Sequence, residues 1–165
     1  MDIKAIRQLD ISGLPLTYET VIPEDWRDAM GHMNVMWYTH LFSCAAGGMF
    51  PLYGLTKEYF GSGESGTFVL AAHIRYLSEV LAGQRVTLRS RALGRSEKRA
   101  HFMHFIYNED TGVVSATGEF INTHVDMTRR KPSPWPEHVA AAFDKLTAQH
   151  DALGWEAPRC GSLAP

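Results

Sequence analysis

Residues 28 to 38 read D-A-M-G-H-M-N-V-M-W-Y, an acid followed by a run from which charge disappears. From Ala29 through Thr56 there is no Lys, Arg, Asp or Glu. A free surface helix carries charges on its solvent side, so a charge-free one is expected to be wrapped by the rest of the fold. Asn34 is a good N-cap, and Tyr38, Leu41, Phe42, Ala45 and Met49 follow at helical spacing. The other face holds Thr39, His40, Ser43, Cys44, Gly47 and Gly48, small or neutral residues that would let a sheet approach closely. Gly47-Gly48 and Pro51 are expected to end the helix.

Outward from this stretch the chain reads mainly as strands. Residues 1–16, broken by Gly13 and Pro15, read as a loose arm. Thr17 to Ile22 is β-rich and stops at Pro23. Beyond the flexible loop Gly61 to Gly66, four strands are expected over 67–77, 85–93, 99–107 and 113–126. Asn108-Glu109-Asp110-Thr111-Gly112 forms a hairpin turn between the last two. Short connections make these strands antiparallel neighbours. Pro136 and Glu137 open a short amphipathic helix, about 136–152, with Val139, Phe143 and Leu146 on one face; the tail beyond it reads as irregular. The order strand, buried helix, four strands predicts an α+β domain, one antiparallel sheet wrapped around a long central helix.

Bulk composition narrows the function classes. The chain of 165 residues fits one domain, 1–165, with a core over about 17–131. A net charge of −2 argues against a nucleic-acid binder. Cys44 and Cys160 make no metal-ligand spacing, and Cys44 inside the apolar stretch fits a reduced, cytoplasmic protein. No signal-peptide core stands at the N-terminus, and polar residues, glycines and Pro51 interrupt the charge-free run, so no membrane span is expected. His101 and His104 are three apart on a strand, face opposite sides and cannot share a metal; no metal site is expected.

The string at 28–38 and the layout around it resemble the hotdog-fold acyl-CoA thioesterases of the 4-hydroxybenzoyl-CoA thioesterase type. Their signature, Asp-x-x-Gly-His-x-Asn with a Tyr ten residues after the Asp, falls here on Asp28, Gly31, His32, Asn34 and Tyr38. I-R-Y-L-S-E-V-L-A-G-Q-R-V at 74–86 and L-G-R-S at 93–96 extend the likeness, which covers roughly 17–136. One feature departs from it: many members carry a Glu one turn after the Tyr, where this chain has Leu41, Phe42 and Ser43. That absence puts a two-carboxylate mechanism in doubt. The His and Pro-rich signature of hotdog dehydratases is also missing. A narrower likeness runs through Tyr18-Glu19-Thr20, A-H-I-R-Y-L at 72–77 and K-R-A-H at 98–101, which look similar to thioesterases of carnitine breakdown acting on betainyl-CoA.

The resemblance implies a homodimer or homotetramer, a pocket at the subunit interface completed by the partner's 60–75 region, and no cofactor beyond the CoA of the substrate. In this reading Asp28 attacks the thioester carbonyl or activates the water that does. Amides near Gly31 to Val35 would stabilise the oxyanion, with Gly31 allowing close approach of the backbone. His32 would position water or hydrogen-bond the thioester, and Asn34, besides capping the helix, would hold water. Trp26, Trp37, Tyr38 and Phe60 are candidates for the acyl pocket, and of these Trp26, Trp37 and Phe60 are the ones expected to box a quaternary ammonium by cation–π contact. Arg95, Ser96, Lys98 and Arg99 are candidates for the CoA nucleotide, with Arg129, Arg130 and Lys131 as a second basic cluster. Two alternatives remain: a non-catalytic acyl-CoA-binding module, and a thioesterase for short-chain or aromatic acyl groups.

Overall fold

In the computed structural model, which describes residues 1–165, the charge-free run becomes one long helix between a first strand and a set of longer ones. The elements are α1 (Ile3–Arg7), β1 (Leu16–Val21), α2 (Val35–Met49), α3 (Lys57–Gly61), β2 (Ser65–Tyr76), β3 (Arg85–Arg95), β4 (Arg99–Asn108), β5 (Val113–Asp126), β6 (Lys131–Pro132) and α4 (Glu137–Asp151). The sheet runs β1-β3-β4-β5-β2, with β6 paired to β5, so β1 and β2 are its edges. The α+β class with an antiparallel sheet and a long helix is the one expected. The chain divides into two compact units, Met1–Gly48 with Ile74–Ser90 and His104–Gly118, and Met49–His73 with Arg91–Met103 and Glu119–Pro165.

In the first unit, α2 buries the stripe its spacing announced: Tyr38, Leu41, Phe42 and Ala45 are all buried. The other face corrects the expectation of an enclosed helix. Val35, Met36, Thr39, His40, Ser43 and Gly47 are exposed. Neutral small and polar groups replace charges on that face, so lack of charge alone did not imply burial. The paired glycines do not end the helix, which runs to Met49. Gly48 has a different job. A Cβ there would lie 1.9 Å from the carbonyl oxygen of Thr17, so only glycine lets β1 pass this close; at Gly47 nothing lies within 4 Å. The N-terminal arm is not loose either. Ile6, Ile11 and Leu14 are buried, and Arg89 donates to the carbonyls of Ser12 and Leu14.

Beneath the helix a polar chain crosses the same unit. Thr17 donates to the Leu88 carbonyl at 3.1 Å, its hydroxyl lies 2.7 Å from that of Ser90, and Ser90 Oγ lies 2.6 Å from His104 Nδ1. The His104 ring stacks on Phe42, and complete burial pushes its pKa down to about 3. A folded-state pKa below the unfolded value means that the unfolded chain takes up the proton first. Stability is therefore full at pH 7 and falls once the pH drops below about 6.5, by about 1.4 kcal/mol per pH unit for this one group. Urea unfolding between pH 7 and 5 checks this; a flat midpoint would contradict it.

In the second unit, α4 starts after Pro136 as expected and buries Val139 and Phe143, the latter edge-on to Tyr53 at 4.9 Å. The tail has no regular structure, but it is tied down. Arg91 lies 4.3 Å over the Trp155 ring and donates to the Trp155 carbonyl at 2.8 Å, and Arg159 donates to the Leu93 carbonyl at 3.0 Å. Read by alternation, Arg91 belongs to a polar strand face; this cover is what leaves it 3% exposed.

Candidate active site

Asp28 sits in a closed turn built by its own side chain. Oδ1 accepts from the amides of Met30 at 2.8 Å and His32 at 3.3 Å. The Asp28 amide donates to the His32 carbonyl at 2.8 Å, and Gly31 donates to the Asp28 carbonyl at 3.1 Å. Gly31 adopts φ +93, where L side chains are strained, and nothing lies within 4 Å of its absent Cβ. Conformation, not crowding within the chain, accounts for glycine there.

Asn34 caps α2 as its residue type suggested, with Oδ1 accepting from Met36 at 3.1 Å and its carbonyl from Trp37 at 3.0 Å. The amides expected to face a substrate are largely engaged. Gly31 donates to Asp28, His32 to the Asp28 carboxylate, Met33 to Val80 and Asn34 to Trp26. Val35, the first helical residue, is the amide of the five outside these bonds.

Around this turn opens a cleft of about 410 Å³, lined by Asp28, His32, Met33, Val35, Tyr38, Tyr76, Leu77, Ser78 and Glu79. His32 Nε2 lies 2.7 Å from a carboxylate oxygen of Glu79. Tyr38 and Tyr76 meet edge to face at 5.0 Å. Burial, reinforced by Tyr76, Glu79 and Asp28, pushes the Tyr38 phenol up to about 12, so it stays a neutral O–H that can donate but cannot serve as a base. The Asp28 carboxylate lines the same cleft and is of a type suited to attack a carbonyl or to take a proton from water.

The other residues singled out in the sequence are placed as follows. Trp26 and Trp37 stack on each other at 4.3 Å and 5°, with His40 edge-on to both at 5.4 and 5.5 Å. Their facing surfaces cover one another, which leaves no space between them for an ammonium. Phe60, in the second unit, packs on Phe50 and Tyr59. Arg95 is held by Asp144 on α4 through Nε at 2.8 Å and Nη2 at 2.5 Å. Ser96 closes the β3–β4 turn by accepting from the Arg99 amide at 3.2 Å, while Arg99 is exposed and Lys98 half-buried. In the second basic cluster, Arg129 pairs loosely with Asp126, Nε to Oδ2 at 3.5 Å. His101 and His104 point to different partners, Glu119 and Ser90, as alternation requires.

Residues 22–143 match the sequence model of the thioesterase-like superfamily. The chain belongs to that superfamily. The betainyl-CoA thioesterase of Pseudomonas aeruginosa is 31% identical over 137 residues, 83% of this chain and 86% of that one. The L-carnitine dehydrogenase/betainyl-CoA thioesterase of Agrobacterium fabrum is 35% identical over 134 residues, 81% of this chain; the match spans 27% of that longer relative. A Staphylococcus aureus protein solved in complex with CoA shares the fold, with a TM-score of 0.80 over 92% of this chain and 96% of that one at 20% identity. No helix of this superfamily member is long and apolar enough to cross a membrane.

Tyr76, Ser78 and Glu79 were not among the candidates read from the sequence, although they lie inside the quoted run at 74–86. Nothing in their local pattern marks them as site residues. What places them is the main chain: Val80 accepts from Met33 at 2.8 Å, and Leu77 donates to Ser115 at 2.8 Å. Those two bonds lay the end of β2 against the turn of Asp28.

Proposed function

We propose that this protein hydrolyses the CoA thioester of a small cationic acyl group, with betainyl-CoA as substrate and Asp28 as nucleophile or general base. One observation carries the reading: the cleft that holds Asp28 also holds two tyrosine rings and a second carboxylate, Glu79, with no Lys or Arg in its lining. A trimethylammonium group cannot donate hydrogen bonds; ring faces and negative charge recognise it. The names of the relatives support the same substrate. Tyr38 and Tyr76 take the place of the tryptophans as the aromatic element.

In the chemical step, water that gives its proton to Asp28 adds to the thioester carbonyl, the C–S bond breaks, and that proton passes to the departing CoA thiolate. In the nucleophilic route Asp28 forms a mixed anhydride as the thiolate leaves and takes a proton from solvent, and water then hydrolyses the anhydride to the free acid. The Val35 amide and the Tyr38 hydroxyl are the donors available to the oxyanion. Of the basic residues, Lys98, Arg99, Arg130 and Lys131 are proposed for the CoA phosphates, since Arg95 is tied to Asp144.

The test is CoA release from betainyl-CoA against neutral short-chain and aromatic acyl-CoAs. Glu79→Gln should raise KM for betainyl-CoA about tenfold, equivalent to about 1.4 kcal/mol, and leave neutral substrates within twofold. An equal change for both classes would remove the charge from the explanation.

A homodimer belongs to the same proposal. β2 is an edge strand, and three consecutive residues on it, Phe68, Val69 and Leu70, are 42%, 60% and 52% exposed. An apolar edge of this kind invites pairing with a second copy. Light scattering should give twice the chain mass for the wild type and a shift toward monomer for Val69→Lys. A monomeric wild type would contradict the pairing.

A further inference from the structure

Away from the cleft, the second unit brings together three donors from three distant segments: His73 on β2, Glu119 on β5 and Cys160 in the tail. Their ligand atoms all lie within 4.8 Å of one another. Glu119 is 1% exposed, while His73 and Cys160 are half-buried, so the group has a buried base and an accessible rim. We infer that His73, Glu119 and Cys160 form a binding site for a zinc-like divalent cation, which fastens the C-terminal tail to the sheet.

The donor chemistry selects the class of ion. Imidazole, carboxylate and thiolate together suit zinc and its neighbours, whereas magnesium and calcium take oxygen ligands. Three protein ligands leave a fourth tetrahedral position for water. Bond lengths of about 2.0–2.3 Å place donor atoms some 3.5 Å apart, so the widest pair closes by roughly 1 Å on binding. Cys160, on an irregular segment, supplies that movement. On coordination its thiol releases a proton to solvent.

The surroundings already hold the carboxylate in place. Glu119 Oε1 lies 2.8 Å from His101 Nε2, and Oε2 accepts from the Cys160 amide at 2.6 Å. Each carboxylate oxygen has a second lone pair, so neither contact prevents coordination. His101, buried behind Glu119, orients this ligand through the Oε1 contact. Arg159, next to Cys160 in sequence, donates to the Leu93 carbonyl at 3.0 Å. Through Trp155 and Arg159 the tail is anchored before Cys160 is reached, so the thiol is delivered to the site. The inference does not depend on the thioesterase reading.

The test uses the full chain, reduced and freed of metal with a chelator, titrated separately with Zn²⁺ by calorimetry and with Co²⁺ by absorption. The expected result is one ion per chain and a thiolate-to-cobalt charge-transfer band. Cys160→Ser should abolish the band, and His73→Gln should weaken binding at least about tenfold, while Cys44→Ser changes neither. Zinc should also raise the melting temperature of the wild type and not of Cys160→Ser; circular dichroism establishes that each variant is folded. Absence of stoichiometric binding, or binding that survives both site substitutions, would overturn the inference.

Discussion

Asp28→Asn should lower kcat for CoA release by about 10²–10⁴-fold, the range expected when a positioned acid–base group or nucleophile is lost. Asparagine is the informative replacement because its Oδ1 can still accept from the amides of Met30 and His32. The turn is kept and the charge is removed. Circular dichroism and melting temperature should match the wild type, and KM for a neutral acyl-CoA should move little, because the loss falls on the transition state. Asp28→Ala would remove the turn's acceptor as well, so its activity loss would mix chemistry with a misplaced loop. Wild-type turnover in Asp28→Asn would contradict the catalytic role given to Asp28.

The second large effect is on stability and separates two adjacent glycines of one helix. Gly48→Ala places a methyl group 1.9 Å from the Thr17 carbonyl oxygen, so β1 or α2 must move. The expected cost is about 3 kcal/mol, seen as a fall in melting temperature of roughly 5–10 °C. Gly47→Ala meets nothing within 4 Å and lies inside α2. It should stabilise the protein by about 0.5–1 kcal/mol through helix propensity. Parallel thermal melts decide the matter. Two effects of the same sign would mean that β1 does not pass against Gly48 as described.

These expectations show where the sequence was legible. Periodicity placed α2's buried stripe, and turn chemistry placed the hairpin at 108–112, because both are local signals. The Asn34 cap was legible for the same reason: a short polar side chain bonds to an amide two residues on. The exposed face of α2 was misread because neutrality has two causes. Residues there are uncharged without being enclosed. The helical arm at Ile3–Arg7 was missed because it is barely more than one turn long, and packing of Ile6 holds it.

Pairings across long separations were the least visible. Glu79 meets His32, Asp144 holds Arg95, and Trp155 covers Arg91, each set by sheet register or by the path of a tail. No local pattern encodes such meetings. The consequence for function is direct. Asp28 was proposed from its motif, whereas the residues proposed to choose the acyl group became visible only once β2 was seen to end beside it.

The most direct measurement compares kcat/KM for betainyl-CoA with that for 3,3-dimethylbutyryl-CoA, in which a carbon replaces the quaternary nitrogen and shape is kept. A cleft walled by Tyr38, Tyr76, Asp28 and Glu79 should favour the cation by at least about tenfold, and Glu79→Gln should shrink that ratio. Equal values for the two substrates, or preference for the neutral one, would contradict a site built for positive charge.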